Sequence, residues 1–235
     1  MEPKEILAWH FLRVDKKLGY GDNRLVSLDD LIAVDPDKLD LCHFGLHGSV
    51  KILDAISFIG WENAIVCRVK LSGRIIEGVD KCVASERTVI SWYAADRILH
   101  EFACRVAEDV LLVFEKNYPN CTGLRNAIEA KRLWLEGNIN DAGLAAAYDA
   151  AAAHDAVRSA VRAVAHGTAR IAAMSVAWAA TRAAARSGVG AAARSAARSA
   201  AINKYNGWLE EMVLGNTLRG STELIPFYND LGRWL

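Results

Sequence analysis

The chain has 235 residues, 52% apolar and 24% charged, enough to bury a sizeable core and a composition that argues against general disorder. Its 28 basic and 28 acidic side chains cancel, which argues against a general nucleic-acid binder, for which a strongly basic domain is the usual footprint. The cancellation hides a segregation. Residues 1–96 hold 12 basic and 15 acidic side chains, residues 97–150 hold 6 and 8, and residues 151–235 hold 10 and 5, for net charges of −3, −2 and +5.

Along the first ~90 residues the pattern reads as mixed α/β. Leu7 to Val14 is an apolar, strand-like stretch, closed by a turn over Lys17-Leu18-Gly19-Tyr20-Gly21-Asp22-Asn23. Val50 to Ile59 places Val50, Leu53, Ile56 and Phe58 at helical spacing and predicts a short amphipathic helix. From Ala64 to Leu71, Ile65, Cys67, Val69 and Leu71 alternate with Val66, Arg68 and Lys70, the period of a half-buried strand. Ser72-Gly73 is expected to turn the chain into a partner strand over Arg74 to Gly78.

From about Ser91 the period becomes helical. Leu99, Phe102, Val106, Val110 and Val113 form one apolar stripe, ending at Tyr118-Pro119-Asn120. Thr122 is the expected N-cap of a second helix through Trp134, stopped by Gly137. Asn140 or Asp141 caps a third, running to about Arg186 with a break near Gly167. Gly188-Val189-Gly190 separates it from a last helix, Ala191 to about Val213, and an aromatic tail at Ile225-Pro226-Phe227-Tyr228 and Trp234-Leu235 is expected to dock on the bundle. The expected fold is α+β: a small mixed α/β module, 1–90, packed on a larger Ala-rich helical bundle, 91–235.

Between Ala156 and Leu209 there is no Asp or Glu, but there are seven arginines (Arg158, Arg162, Arg170, Arg182, Arg186, Arg194, Arg198) and Lys204. Alanine, which dominates this stretch, loses no side-chain entropy in a helix, so the segment is expected to be helical. Arg158, Arg162, His166 and Arg170 follow at i,i+4, one gently spiralling ridge. Like charges at that spacing cost a few tenths of a kcal/mol per pair. Two outcomes stay open: a solvated or internally paired face, and a partner-binding surface for carboxylate or phosphate, which arginine suits better than lysine.

The five cysteines, Cys42, Cys67, Cys82, Cys104 and Cys121, are dispersed with no CxxC pair, which reads as reduced thiols in a cytoplasmic protein. Met1-Glu2-Pro3-Lys4-Glu5 lacks the start of a signal peptide. The longest uncharged run of the Ala-rich half, Ile171 to Thr181, is far short of the roughly 20 residues a bilayer needs. Cys42, His43 and His47 lack the distant ligands of a closed zinc site, so no metal is expected. No nucleophile elbow, Walker loop, dinucleotide fingerprint or HExxH is present. Asp80-Lys81 and Glu86-Arg87 read as ordinary surface charge, unless they form the first module's own contact face.

Leu46-His47-Gly48-Ser49, ahead of a helix, resembles the nicotinamide-dinucleotide-binding element of ADP-ribosyltransferases, which would make His47 a ribose ligand and Glu77 or Glu86 the transfer residue; a structural turn histidine is the competing reading. Gly45-Leu46-His47-Gly48-Ser49, Leu53-Asp54-Ala55, Cys67-Arg68-Val69-Lys70-Leu71-Ser72-Gly73 and Glu77-Gly78-Val79-Asp80-Lys81 together resemble a small α/β domain of unknown function found in phage and prophage proteins. Phe102-Ala103-Cys104 and Arg125-Asn126-Ala127-Ile128-Glu129-Ala130 are similar to helical immunity proteins encoded near polymorphic toxins. These resemblances imply a non-enzymatic inhibitor of an immunity or anti-defence kind, such as an anti-CRISPR protein. It would need no cofactor and would bind a bacterial protein or nucleoprotein complex with an acidic surface through the seven arginines. An ADP-ribosyltransferase-like enzyme using His47-Gly48-Ser49 and direct nucleic-acid binding by the Arg-rich helices are the alternatives.

Overall fold

The computed structural model describes residues 4–19, 22–58, 64–117, 119–120, 122–151 and 191–217. The chain divides into two compact units, the first built on residues up to Asp96 and the second on Arg97–Met212.

The first unit is a five-stranded antiparallel sheet. Its spine is two long strands, β4 (Ala64–Glu77) and β5 (Cys82–Ala94), paired over nearly their whole length. On the free edge of β4 lies β1 (Ile6–Arg13), registered with His10 opposite Cys67 and Ala8 opposite Val69. The free edge of β5 carries two short strands end to end. They are β2 (Leu31–Ala33), against Thr88 to Glu86, and β3 (Leu46–Gly48), against Ala84 to Cys82.

The expected turn at Ser72-Gly73 is not there. The strand runs on to Glu77, and the hairpin closes at Gly78, whose N–H donates to the Lys81 carbonyl at 2.8 Å. A shift of register between Ser72 and Ile75 absorbs the glycine as a bulge. Gly73 takes a φ of 72°, and Ser85 Oγ accepts the Arg74 N–H at 2.9 Å, so side-chain chemistry replaces the missing ladder bond.

One face of the sheet carries the alternation read from sequence: Ile65, Cys67, Val69 and Leu71 are buried beside Ala8, Leu12 and Val89. Leu18 and Val26 of the excursion after β1 join this core, together with Ile32 of β2 and Leu46 of β3. Burying side chains of this size contributes about 1.5–3 kcal/mol each. On the other face, Trp9 is fully buried and the Arg68 guanidinium stacks 4.5 Å from its ring centroid. The expected helix near Val50 shrinks to α1 (Ile52–Ala55) followed by one 3₁₀ turn, Ile56–Phe58. Leu53 and Ile56 are buried as expected, but Val50 and Phe58 are exposed.

In the second unit the helical period begins later than Ser91, because β5 runs to Ala94 and α2 spans Asp96–Asn117. Next come α3 (Gly123–Leu135), α4 (Asp141–Ala151) and, after the residues not described, α5 (Ala191–Thr217). Thr122 precedes α3 as expected but makes no side-chain cap. Asn140 does cap α4, its Oδ1 accepting the Gly143 N–H at 2.9 Å. Gly137, at φ 76°, ends α3 as the left-handed residue of a Schellman turn, with Asn138 N–H donating to the Leu133 carbonyl at 2.8 Å. The expected third helix beyond Ala151, its break near Gly167, and the aromatic tail all lie outside the described residues.

Small residues let α3 and α4 meet closely. A Cβ on Gly123 would sit 2.7 Å from the Ala151 carbonyl oxygen. Above this contact, Trp134 is held by Asp141, which accepts its Nε1–H at 2.8 Å, and by the edge of His100, with ring centroids 5.1 Å apart. Lys131 is 2% exposed, with Nζ 3.8 Å from the Trp134 centroid. Burial lowers the Lys131 pKa to about 8 and, with the Lys131 charge, that of His100 to about 3.

The unfolded lysine keeps its proton up to its ordinary value of 10.5, so below about pH 8 both states are protonated and the full burial penalty is present. Between those values the unfolded chain binds more protons, and stability rises with pH. Lys131→Met should therefore stabilise the protein near neutral pH, by about 3 kcal/mol at most, and by progressively less toward pH 10. Thermal unfolding of both proteins across that range checks the sign.

Candidate functional site

Arg87 sits in the middle of β5. Its backbone is paired on one side with Leu71 and on the other with Ile32. Residues directly opposite in an antiparallel ladder share a face, and both neighbours belong to the apolar core, so the Arg87 side chain enters that core. It is 2% exposed, which corrects the expectation of ordinary surface charge. Its Nη1–H donates to the His47 carbonyl at 2.9 Å. Nε and Nη2 are buried with no hydrogen-bond acceptor among the described residues. Desolvation lowers the guanidinium pKa to about 10, still charged at neutral pH.

Arg87 forms part of the wall of a cavity of about 900 Å³ lined by residues of β1, the β1–β3 excursion, β3 and α1. His10 and His47 share that wall. His10 is held well below its usual pKa by burial first and then by the Arg87 and His47 charges, so it is a neutral imidazole at neutral pH. His47 donates its Nε2–H to the Leu41 carbonyl at 2.9 Å, which fixes its ring and tautomer; burial, with Lys81 and Arg87, lowers its pKa. Arg13, Lys17 and Lys81 also line the space. The acid on this wall, Asp22, is already clasped by Arg24, through Nε at 2.9 Å and Nη2 at 2.7 Å, which lowers its pKa. The wall is cationic.

Chemically, this arrangement can hold an anion. Neither acid offered by the transferase resemblance lines the cavity: Glu77 pairs with Lys4, and Glu86 accepts the Ser72 hydroxyl at 2.9 Å. His43 is tied to Asp40 at 2.9 Å, and Cys42 is exposed. The described residues contain no group of three or more His, Cys, Asp or Glu able to hold a metal ion.

Of the expected partner-binding arginines, Arg158, Arg162, Arg170, Arg182 and Arg186 lie outside the described residues. Arg194 and Arg198 fall on α5, one helical turn apart, with side chains outside the described set. Five described cations of the second unit are engaged with its acids. Arg132 grips Glu108 through Nε and Nη2, both at 2.9 Å. Arg125 grips Glu115 at 2.9 and 2.8 Å. Lys204 pairs with Asp109 at 2.6 Å, Arg97 with Glu101 at 2.8 Å, and Arg105 with Glu211 at 3.5 Å. Among the described residues no helix is long and apolar enough to cross a membrane.

No family model, curated protein or solved structure matches this chain. The site therefore rests on its own geometry. Sequence reasoning missed Arg87, although Val89, two residues on, offered a signal: side chains at i and i+2 of a strand share a face.

Gly45 shapes the wall just before β3. Its φ is 128°, and a Cβ there would strike Val83 Cγ2 and stand 2.7 Å from Leu39 Cδ2. Gly45→Ala should cost about 2 kcal/mol, from backbone strain together with the clash. Urea unfolding at equilibrium measures it.

Proposed function

We propose that this chain is a non-enzymatic inhibitor of the immunity or anti-defence kind, such as an anti-CRISPR protein. Carried by a phage or mobile element, it binds and neutralises a bacterial protein or nucleoprotein complex with an acidic surface. The supporting observation is that five acids of the helical unit are already engaged by other cations. Glu101, Glu108, Asp109, Glu115 and Glu211 each already serve a cation outside the seven arginines. The segment from Ala156 to Leu209 then adds seven arginines and no acid of its own. An anionic surface supplied from outside matches that excess, and arginine forks suit its carboxylates or phosphates.

Pull-down of the full chain from a bacterial lysate, with intact mass of each captured partner, tests the reading. A stoichiometric complex with unmodified partners supports it, and an added ADP-ribose mass would replace it with the transferase alternative. Reversing Arg158, Arg162 and Arg170 together to Glu should weaken capture by several kcal/mol if the heads are buried at the interface, where breaking a charge pair costs about 2–5 kcal/mol. At a rim position the loss is smaller, appears in the association rate and fades with salt. Wild-type affinity of the triple variant at low salt would remove these arginines from the contact. His47→Ala should leave capture intact while costing about 1 kcal/mol of stability, the worth of its hydrogen bond to Leu41.

A further inference from the structure

We propose that an extended acidic segment of a partner protein adds as a strand to the open edge of β1 at Phe11, in the cavity of the first unit. This goes beyond the partner-binding reading, which concerns the helical unit.

The alternation of β1 fixes where its edge opens. Trp9 and Ser49 exchange both backbone hydrogen bonds, the Trp9 N–H donating to the Ser49 carbonyl at 2.7 Å and the reverse at 2.8 Å. Trp9 therefore turns its polar backbone away from β4. The register of β1 with β4 is unbroken from Ile6 to Arg13, so Phe11 and Arg13 turn theirs the same way. Arg13 spends its carbonyl on the Lys16 N–H at 2.9 Å. The Phe11 N–H and C=O and the Arg13 N–H have no partner among the described residues. In the register set by Trp9 and Ser49, His47 would face Phe11, but its carbonyl is taken by the Arg87 Nη1–H at 2.9 Å. The cavity of about 900 Å³ follows this edge. It touches every residue from Trp9 to Val14 and every one from Cys42 to Ser49. Consecutive side chains of a strand point to opposite faces, so a space that meets five strand residues in a row lies along the backbone edge rather than over one face.

Unpaired backbone donors and acceptors along a strand edge are matched by another backbone, which is how a peptide adds to a sheet. Charge and shape select the peptide. Its side chains would alternate as those of β1 do. Those beside Leu12 meet apolar wall, because Leu12 belongs to the core, and Leu18 and Leu46 of that core line the same space. The others fall on the side of Arg13. Arg13 is exposed and approaches Asp15 no closer than 3.8 Å, and Lys17 and Lys81 add two more cations to the wall. The acid there, Asp22, is held by Arg24 at 2.7 Å. A segment that alternates apolar with acidic residues complements both faces.

The test uses the full chain and a capped hexapeptide alternating valine and glutamate, with a valine–lysine peptide as the charge control, in a calorimeter at low ionic strength. The glutamate peptide should bind more tightly than the lysine one by about tenfold or more. Methylating its glutamate nitrogens, or its valine nitrogens, blocks one edge of the peptide at a time. At least one of these forms should lose about tenfold, the worth of one or two hydrogen bonds. In nitrogen-labelled protein the Phe11 N–H signal should shift on titration and slow its exchange with solvent. Arg13→Glu combined with Lys17→Glu, both at exposed positions, should lose about tenfold or more at low salt and less as salt rises. No binding at about millimolar peptide, equal affinity for the lysine peptide, undiminished affinity for both methylated forms, wild-type affinity in the double variant or an unmoved Phe11 N–H each overturns the proposal. So does a Phe11 N–H already protected in the free protein: in a monomer the chain itself covers the edge, and in a dimer, seen by sedimentation, a second copy does. Should the double variant fail to fold, the peptide series and the Phe11 N–H decide on the wild type alone.

Discussion

The pairing of β4 with β5 is the constraint on which the first unit depends. Every other strand of the sheet pairs with one of these two: β1 with β4, and β2 and β3 with β5. Because side chains alternate across a strand, the β4–β5 register decides which residues face the excursion that follows β1. A slip of β4 by one residue would turn Cys67, Val69 and Leu71 to the face opposite Arg87, which now lies beside Leu71. The irregularity near Gly73 is thus a device for keeping both ends of a long hairpin in phase with their neighbours. Ser72 and Ser85 serve it with hydrogen bonds to Glu86 and the Arg74 N–H.

Among the described residues each unit buries one cation, in different surroundings. In the helical unit the Lys131 ammonium lies on the Trp134 face, an attraction worth about 2 kcal/mol when desolvated. That offsets part of the cost of leaving water. In the sheet unit the Arg87 guanidinium spends one arm on a backbone carbonyl, and its Nε and Nη2 are buried with no acceptor among the described residues. Guanidinium is the better group for the second setting, since it stays charged when buried and its donors are fixed in a plane. The lysine, by contrast, yields its proton within reach of ordinary pH.

The two units also differ in how they use charge. The described ion pairs of the helical unit are partly exposed, each worth about 0–1 kcal/mol, and they set how α2 meets α3 and α5 more than they stabilise either. In the sheet unit the ion pairs stand at the rim, and the charge that matters is interior. Histidines 10, 43 and 47 follow the same division. His43 is exposed and tied to Asp40, whereas His10 and His47, beside Arg87, are kept neutral by burial and by its charge.

The sequence determined the local elements wherever one period dominated. The alternation from Ile65 to Leu71, the stripe from Leu99 to Val106, the glycine stop at Gly137 and the Asn140 cap all express interactions within a few residues, which composition and spacing encode. Ser72-Gly73 misled because a turn and a bulge draw on the same residues. Which one forms depends on whether the partner strand lies before or after them, and that is a non-local fact. Val50 is exposed for a similar reason: helical spacing names a face but not whether anything covers it. Arg87 is the clearest case. As a residue type it reads as surface. Only the tertiary fold, by setting Leu71 and Ile32 on either side and a forty-residue-distant His47 carbonyl at its Nη1, makes it interior. Burial is a property of what the rest of the chain lays over a position: Val89 marks the face on which Arg87 lies but not what covers it.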